Sequence, residues 1–103
     1  MDRIELLKSF LKEDPADEFS AYALALEYVK VNQLVEAIDL LEKLIAKNPD
    51  YLPAYYQLGK LYELQGKIKL SVEQYSNGME VAKKKKDQKT FNELQSALDL
   101  LDE

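Results

Sequence analysis

Three groups of side chains in this sequence have types and spacing that could do chemistry. Asp14, Asp17 and Glu18 lie close together. Lys83, Lys84, Lys85 and Lys86 run consecutively with Lys89 nearby, and seven tyrosines are spread along the chain. Clustered carboxylates can share a proton or hold a cation, but acid–base work usually enlists histidine, and the chain has none. Cysteine is absent too, which removes thiol nucleophiles, a disulfide framework and the usual zinc sites. No glycine-rich loop is present to cradle a phosphate. The three acids therefore read as a helix start, where negative charge complements the helix dipole. No enzyme activity, metal or cofactor is expected.

The lysine run admits two readings. One is an anionic partner: RNA, an acidic peptide or a membrane surface. The other is a solvated helix end, where cations suit the C-terminal dipole. The net charge of −5 favours the second, as does the lack of an aromatic between the lysines. Residues 1–50 hold 11 acids and 6 bases, whereas residues 51–103 hold 8 of each. Neither half has the cationic footprint of general nucleic-acid binding.

The elements that must position these residues are helices. Apolar residues make up 47% of the 103 and charged residues 32%, a globular composition of single-domain size. Three glycines and three prolines are too few for many hairpins. No long apolar run predicts a membrane span, and the start Met1-Asp2-Arg3-Ile4-Glu5 does not read as a signal peptide. With cysteine absent, these features lead us to expect a cytoplasmic protein.

Sliding the sequence against itself by 34 positions brings like residues together. Pro15 meets Pro49, Tyr22 meets Tyr56, Leu24 meets Leu58, Ala25 meets Gly59, Tyr28 meets Tyr62, Asn32 meets Gly66 and Ala37 meets Ser71. Each unit reads as two amphipathic helices. In the first unit the stripes are Ala21, Leu24, Tyr28, Val31 and then Leu34, Ile38, Leu41, Ile45. In the second they are Tyr55, Leu58, Tyr62 and then Ile68, Val72, Tyr75, Met79. Asn32 and Gly66 fall where a helix end commonly needs a left-handed residue. The small pairs Ala25/Gly59 and Ala37/Ser71 would let two helix axes approach closely. Asn48, before Pro49, is pushed out of helical dihedrals and ends the first unit.

These residues carry a resemblance. The run Tyr55-Tyr56-Gln57-Leu58-Gly59-Lys60-Leu61-Tyr62 followed by Ser71 and Tyr75 resembles the tetratricopeptide repeat. So does Leu24, Ala25, Tyr28, Ala37, Leu41 and Pro49. Three positions depart from the motif. Ala21 replaces the leading aromatic, Gly78 stands where Ala is usual, and Lys83 stands where Pro would close the second repeat. The last departure predicts that the helix from Ile68 runs on into the lysines. The resemblance implies an all-α, antiparallel helix-hairpin solenoid of about six helices. Residues 2–13 form an N-terminal half-repeat, 18–51 and 52–85 two repeats, and 88–102 a C-terminal capping helix matching a first helix after a two-residue insertion.

The resemblance also implies a function, a protein–protein interaction module that binds a protein or peptide in a concave groove lined by first helices. Tyr28, Tyr55, Tyr62 and Tyr75 fall on core positions of the motif. By the same geometry Phe19, Tyr22, Leu26, Tyr56, Gln57, Lys60 and Glu63 face the groove, with Tyr22 and Tyr56 the expected contacts. Phe19 and Leu26 have a second reading, packing under the N-terminal helix. The Lys–Asn pair with which some family members grip chaperone carboxylates is missing, since Tyr22, Leu26 and Gln57 stand there. The groove suits an amphipathic or extended peptide instead. A structural alternative comes from Ile4, Leu6, Leu7, Phe10 and Leu11. They make a face broader than one neighbouring helix covers, so a homodimer through Ile4, Leu6 and Phe10 competes with burial against Tyr22, Leu26 and Leu40.

Overall fold

The computed structural model describes residues 2–101, which form six α-helices and no strand among them. Contacts divide the chain into two compact units, Met1–Asn48 and Pro49–Glu103. No helix of the described residues is long and apolar enough to cross a membrane.

The first unit contains α1 (Arg3–Glu13), α2 (Glu18–Lys30) and α3 (Leu34–Lys47), with α2 packed on both others. Aspartates start two of these helices. The Asp2 carboxylate accepts from the Glu5 amide at 2.8 Å, and that of Asp17 from the Ser20 amide at 3.0 Å and the Ser20 hydroxyl at 2.6 Å. Each bond satisfies an amide the helix leaves open. The Ser20 bonds hold the Asp17 carboxyl below its ordinary pKa, the hydroxyl contributing more than the amide. Leu7, Ala23 and Leu24 form the core of α1 and α2, with Ile4, Leu11, Tyr28 and Leu40 packed around them. Tyr28 is thus half-buried and not a full core residue, because it sits at the edge of this cluster.

The second unit contains α4 (Leu52–Leu64), α5 (Ile68–Lys84) and α6 (Gln88–Leu101), with α5 packed on both others. Leu52, Tyr55, Leu58, Leu61, Tyr62, Tyr75, Leu94 and Ala97 are buried. The buried stripe of α5 differs from the expected one. It runs through Ser71, Tyr75, Gly78 and Ala82, while Ile68 and Val72 are exposed. Small residues permit the close approach of α4 and α6, and the branched side chains flank the contact. A Cβ at Gly78 would stand 2.8 Å from Tyr55 Cβ and 3.0 Å from Leu94 Cδ1.

Helices end here in two ways. At α1 and α3 the residue before proline leaves the helix, Asp14 at φ −137°, ψ 89° and Asn48 at φ −137°, ψ 86°. At α2 and α4 a left-handed residue reverses the chain, Asn32 at φ 61° and Gly66 at φ 74°. The next amide then closes the turn, Gln33 to the Tyr28 carbonyl at 2.8 Å and Lys67 to that of Tyr62 at 2.9 Å. With Lys83 in place of proline, α5 runs on to Lys84 and ends in the second manner. Lys86 takes φ 59°, and the Asp87 amide donates to the Ala82 carbonyl at 2.8 Å.

Candidate partner-binding site

On α2, Phe19, Tyr22 and Leu26 follow one another at spacings of three and four, which places them on one helix face. Phe19 is 73% exposed, so it does not pack beneath α1, whereas Tyr22 and Leu26 are half-buried. On α4, Tyr56, Lys60 and Glu63 have the same kind of spacing, and all are half-buried, as is Gln57.

The α4–α5 hairpin binds three of these residues into a connected group. Ser71 Oγ donates to the Gly59 carbonyl at 2.7 Å and sets the closest approach of the two helices. That approach brings Tyr75 up to α4, where its hydroxyl donates to Glu63 Oε2. Lys60 Nζ stands 3.8 Å from the same carboxylate oxygen and 5.5 Å from the centroid of the Tyr56 ring. The rings of Tyr56 and Tyr75 are tilted at 47° with centroids 6.1 Å apart. Glu63 is therefore held by a buried phenol on one side and an ammonium on the other. Burial, and then the bond to Glu63, push the Tyr75 hydroxyl well above the ordinary tyrosine pKa. It remains a neutral donor and supplies no base. The group can present an aromatic surface, a partly shielded cation and a fixed carboxylate to a ligand. The reading of sequence alone missed Tyr75 as the polar anchor, because its motif position marks it only as core. Periodicity leaves the direction of its side chain open, so no sequence signal marked that bond.

Among the described residues no group of acids is arranged to hold a metal ion. Two lysines of the run are engaged at Asp50. Lys84 Nζ pairs with Asp50 Oδ1 at 3.1 Å, and Lys85 Nζ donates to the Asp50 carbonyl at 3.1 Å. On α1, Ile4 turns inward onto the core, while Leu6 and Phe10 are 39% and 42% exposed.

The tetratricopeptide repeat profile matches residues 25–66. Among solved structures the chain is similar to a tetratricopeptide repeat domain protein from Salinibacter ruber. It is 40% identical to the crystal structure over 84% of this chain and 96% of that one, with a TM-score of 0.79. It is 41% identical to a solution structure of a tetratricopeptide repeat domain protein from the same organism over 85% and 89%, with a TM-score of 0.81. A protein from Bordetella parapertussis is 25% identical over 98% of this chain and 88% of that one, with a TM-score of 0.84. None of the curated proteins matches.

Proposed function

Because this chain belongs to the tetratricopeptide repeat family, we propose that it is a non-catalytic adaptor whose first-helix faces bind a peptide or protein. The faces are Phe19, Tyr22 and Leu26 on α2, and Tyr56, Gln57, Lys60 and Glu63 on α4. The observation that carries the reading is the pre-set group on α4. Tyr75 holds Glu63 and packs against Tyr56, and Lys60 lies beside both, so binding spends less free energy arranging them. Tyrosine is enriched among residues that dominate binding, and truncating such a residue removes about 2 kcal/mol, roughly thirtyfold in affinity. A cytoplasmic setting belongs to the same proposal, as does the absence of nucleic-acid binding for a chain of net charge −5.

The test is a pull-down from host lysate with wild type and with Tyr22→Ala/Tyr56→Ala, both verified as folded by circular dichroism. Titration calorimetry on the recovered partner follows. A partner lost by the double variant, with affinity down roughly thirtyfold or more, is the expected result. Equal retention by both would move the site away from these faces. A second reading, self-association through α1, is favoured by the exposure of Leu6 and Phe10.

A further inference from the structure

On α4 a hydrogen-bond donor and a hydrogen-bond acceptor stand side by side next to an aromatic ring. Lys60 Nζ lies 3.8 Å from Glu63 Oε2, too far for a hydrogen bond, so the ammonium keeps its donors. The Tyr75 hydroxyl donates to that same Oε2 and fixes Glu63 from below, its own ring fully buried. Both contacts fall on one carboxylate oxygen, and among the described residues Glu63 Oε1 has no partner. The side chains of Lys60 and Glu63 remain 40% and 27% exposed, so a ligand can reach both. Tyr56 is half-buried beside Lys60, its ring centroid 5.5 Å from the ammonium.

Given the adaptor reading above, on which this rests, we infer that the α4 face recognises a side-chain carboxamide, a glutamine or asparagine of an extended peptide. A primary carboxamide carries a carbonyl acceptor and an N–H donor side by side on one planar group. Its carbonyl accepts from Lys60 and its N–H donates to Glu63 Oε1, each bond assisted by a charge on the protein. Its methylenes lie against the Tyr56 ring. Ionised side chains fit less well. A carboxylate brought to Lys60 meets Glu63, and a guanidinium or ammonium brought to Glu63 meets Lys60, so a repulsion offsets each attraction. An apolar side chain desolvates the pair and returns no hydrogen bond. The main chain of an extended peptide also offers an N–H and a C=O on one edge, but it is flanked by its own side chains. Glu63 lies low over the buried Tyr75, where the end of a side chain reaches it more readily.

The test is a selection of phage-displayed random peptides on the full chain, on Tyr56→Ala and on Lys60→Met, each verified as folded by circular dichroism. Peptides kept by wild type and lost by Tyr56→Ala are expected to carry glutamine or asparagine at one recurring position. In synthetic copies, replacing that residue with glutamate or methionine should weaken binding roughly tenfold or more by titration calorimetry. Lys60→Met leaves Glu63 without its counter-charge. It is expected to select lysine or arginine at that position instead, a switch that a merely structural Lys60 would not produce. Should Lys60→Met not fold, Lys60→Ala serves in its place. Tyr56-dependent peptides with no carboxamide preference would overturn the proposal and leave the adaptor reading standing. So would a carboxamide preference that survives in the Lys60 variant. Capture of no Tyr56-dependent peptide by wild type would overturn the adaptor reading of α4, and the proposal with it.

Discussion

Gly59 and Tyr75 are one decision made at two residues. In the first repeat the corresponding positions are Ala25 and Leu41, both fully buried. In the second repeat a tyrosine ring takes the place of the leucine, and the Cβ on the facing helix has been removed. A Cβ built on Gly59 would meet the Tyr75 ring at 2.1, 2.5 and 2.6 Å. That ring is fully buried and tied through its hydroxyl to Glu63, so it cannot swing aside cheaply. Overpacking of this kind costs about 1–3 kcal/mol, and the ~1 kcal/mol helix preference of alanine over glycine offsets only part of it. Gly59→Ala is therefore expected to destabilise the chain in urea denaturation. Gly59→Ala/Tyr75→Leu, which installs the first repeat's pair, should be less destabilised than the sum of the single changes. Strict additivity would count against steric coupling. The small residue on α4 was legible in the sequence, since Ala25 and Gly59 align at the repeat period, but its pairing with the Tyr75 ring was not. Nor was the hydrogen bond of Tyr75 to Glu63, because it depends on a side-chain direction that periodicity leaves open.

Among the elements, the start of α2 and the ends of α2, α3 and α4 were the most legible, because each rests on a local mechanism, whereas α3, α4 and α5 begin without a side-chain cap. Asp17 caps α2 as its position suggests. Asp87 does the same for α6, accepting from the Thr90 amide at 3.0 Å and the Thr90 hydroxyl at 2.8 Å. Its carboxyl is held below the ordinary pKa, chiefly by that amide. Asn32 and Gly66 take the left-handed conformation expected of them. The end of α5 was half legible. The missing proline predicts overrun, but nothing local in four identical lysines says which one turns back. It is Lys86, and an ordinary L-residue in that region costs roughly 1–2 kcal/mol. Glycine removes the strain but gains entropy in the unfolded chain. Lys86→Gly is thus expected to stabilise the protein by about 0.5–1 kcal/mol, read as a higher melting temperature. Lys85→Gly, one residue earlier at φ −84°, should lower it. Equal responses at the two positions would mean that the left-handed turn is not where the strain lies. The stripe of α5 was misread because hydrophobicity ranks Ile68 and Val72 above Ser71 and Gly78. Close helix packing selects for smallness instead.

At the scale of the whole molecule, the two terminal helices treat water differently. The side of α6 turned from α5 carries Asn92, Gln95, Ser96 and Asp99, all exposed. Its side chains bond along the helix, Gln88 to Asn92 at 2.8 Å and Gln95 to Asp99 at 3.0 Å. Such a face is largely satisfied, and Leu100, 64% exposed, is the one exposed large apolar residue of α6 among the described residues, against two on α1. The face of α1 turned from its core carries Leu6 and Phe10, one helical turn apart and each about two-fifths exposed. If the chain associates with itself, the contact is therefore α1 against α1, an isologous pairing that closes at two and cannot grow. The antiparallel arrangement sets Leu6 against the partner copy's Phe10. An eleven-residue helix spans only about 16 Å. The contact falls short of a standard interface, and the dimer should be weak. Sedimentation equilibrium over a wide concentration range is expected to show monomer and dimer alone for wild type, and monomer for Phe10→Asp. An assembly growing beyond two would contradict the closed α1 pairing and imply that α6 takes part. Dimers undiminished in Phe10→Asp would remove α1 from the contact.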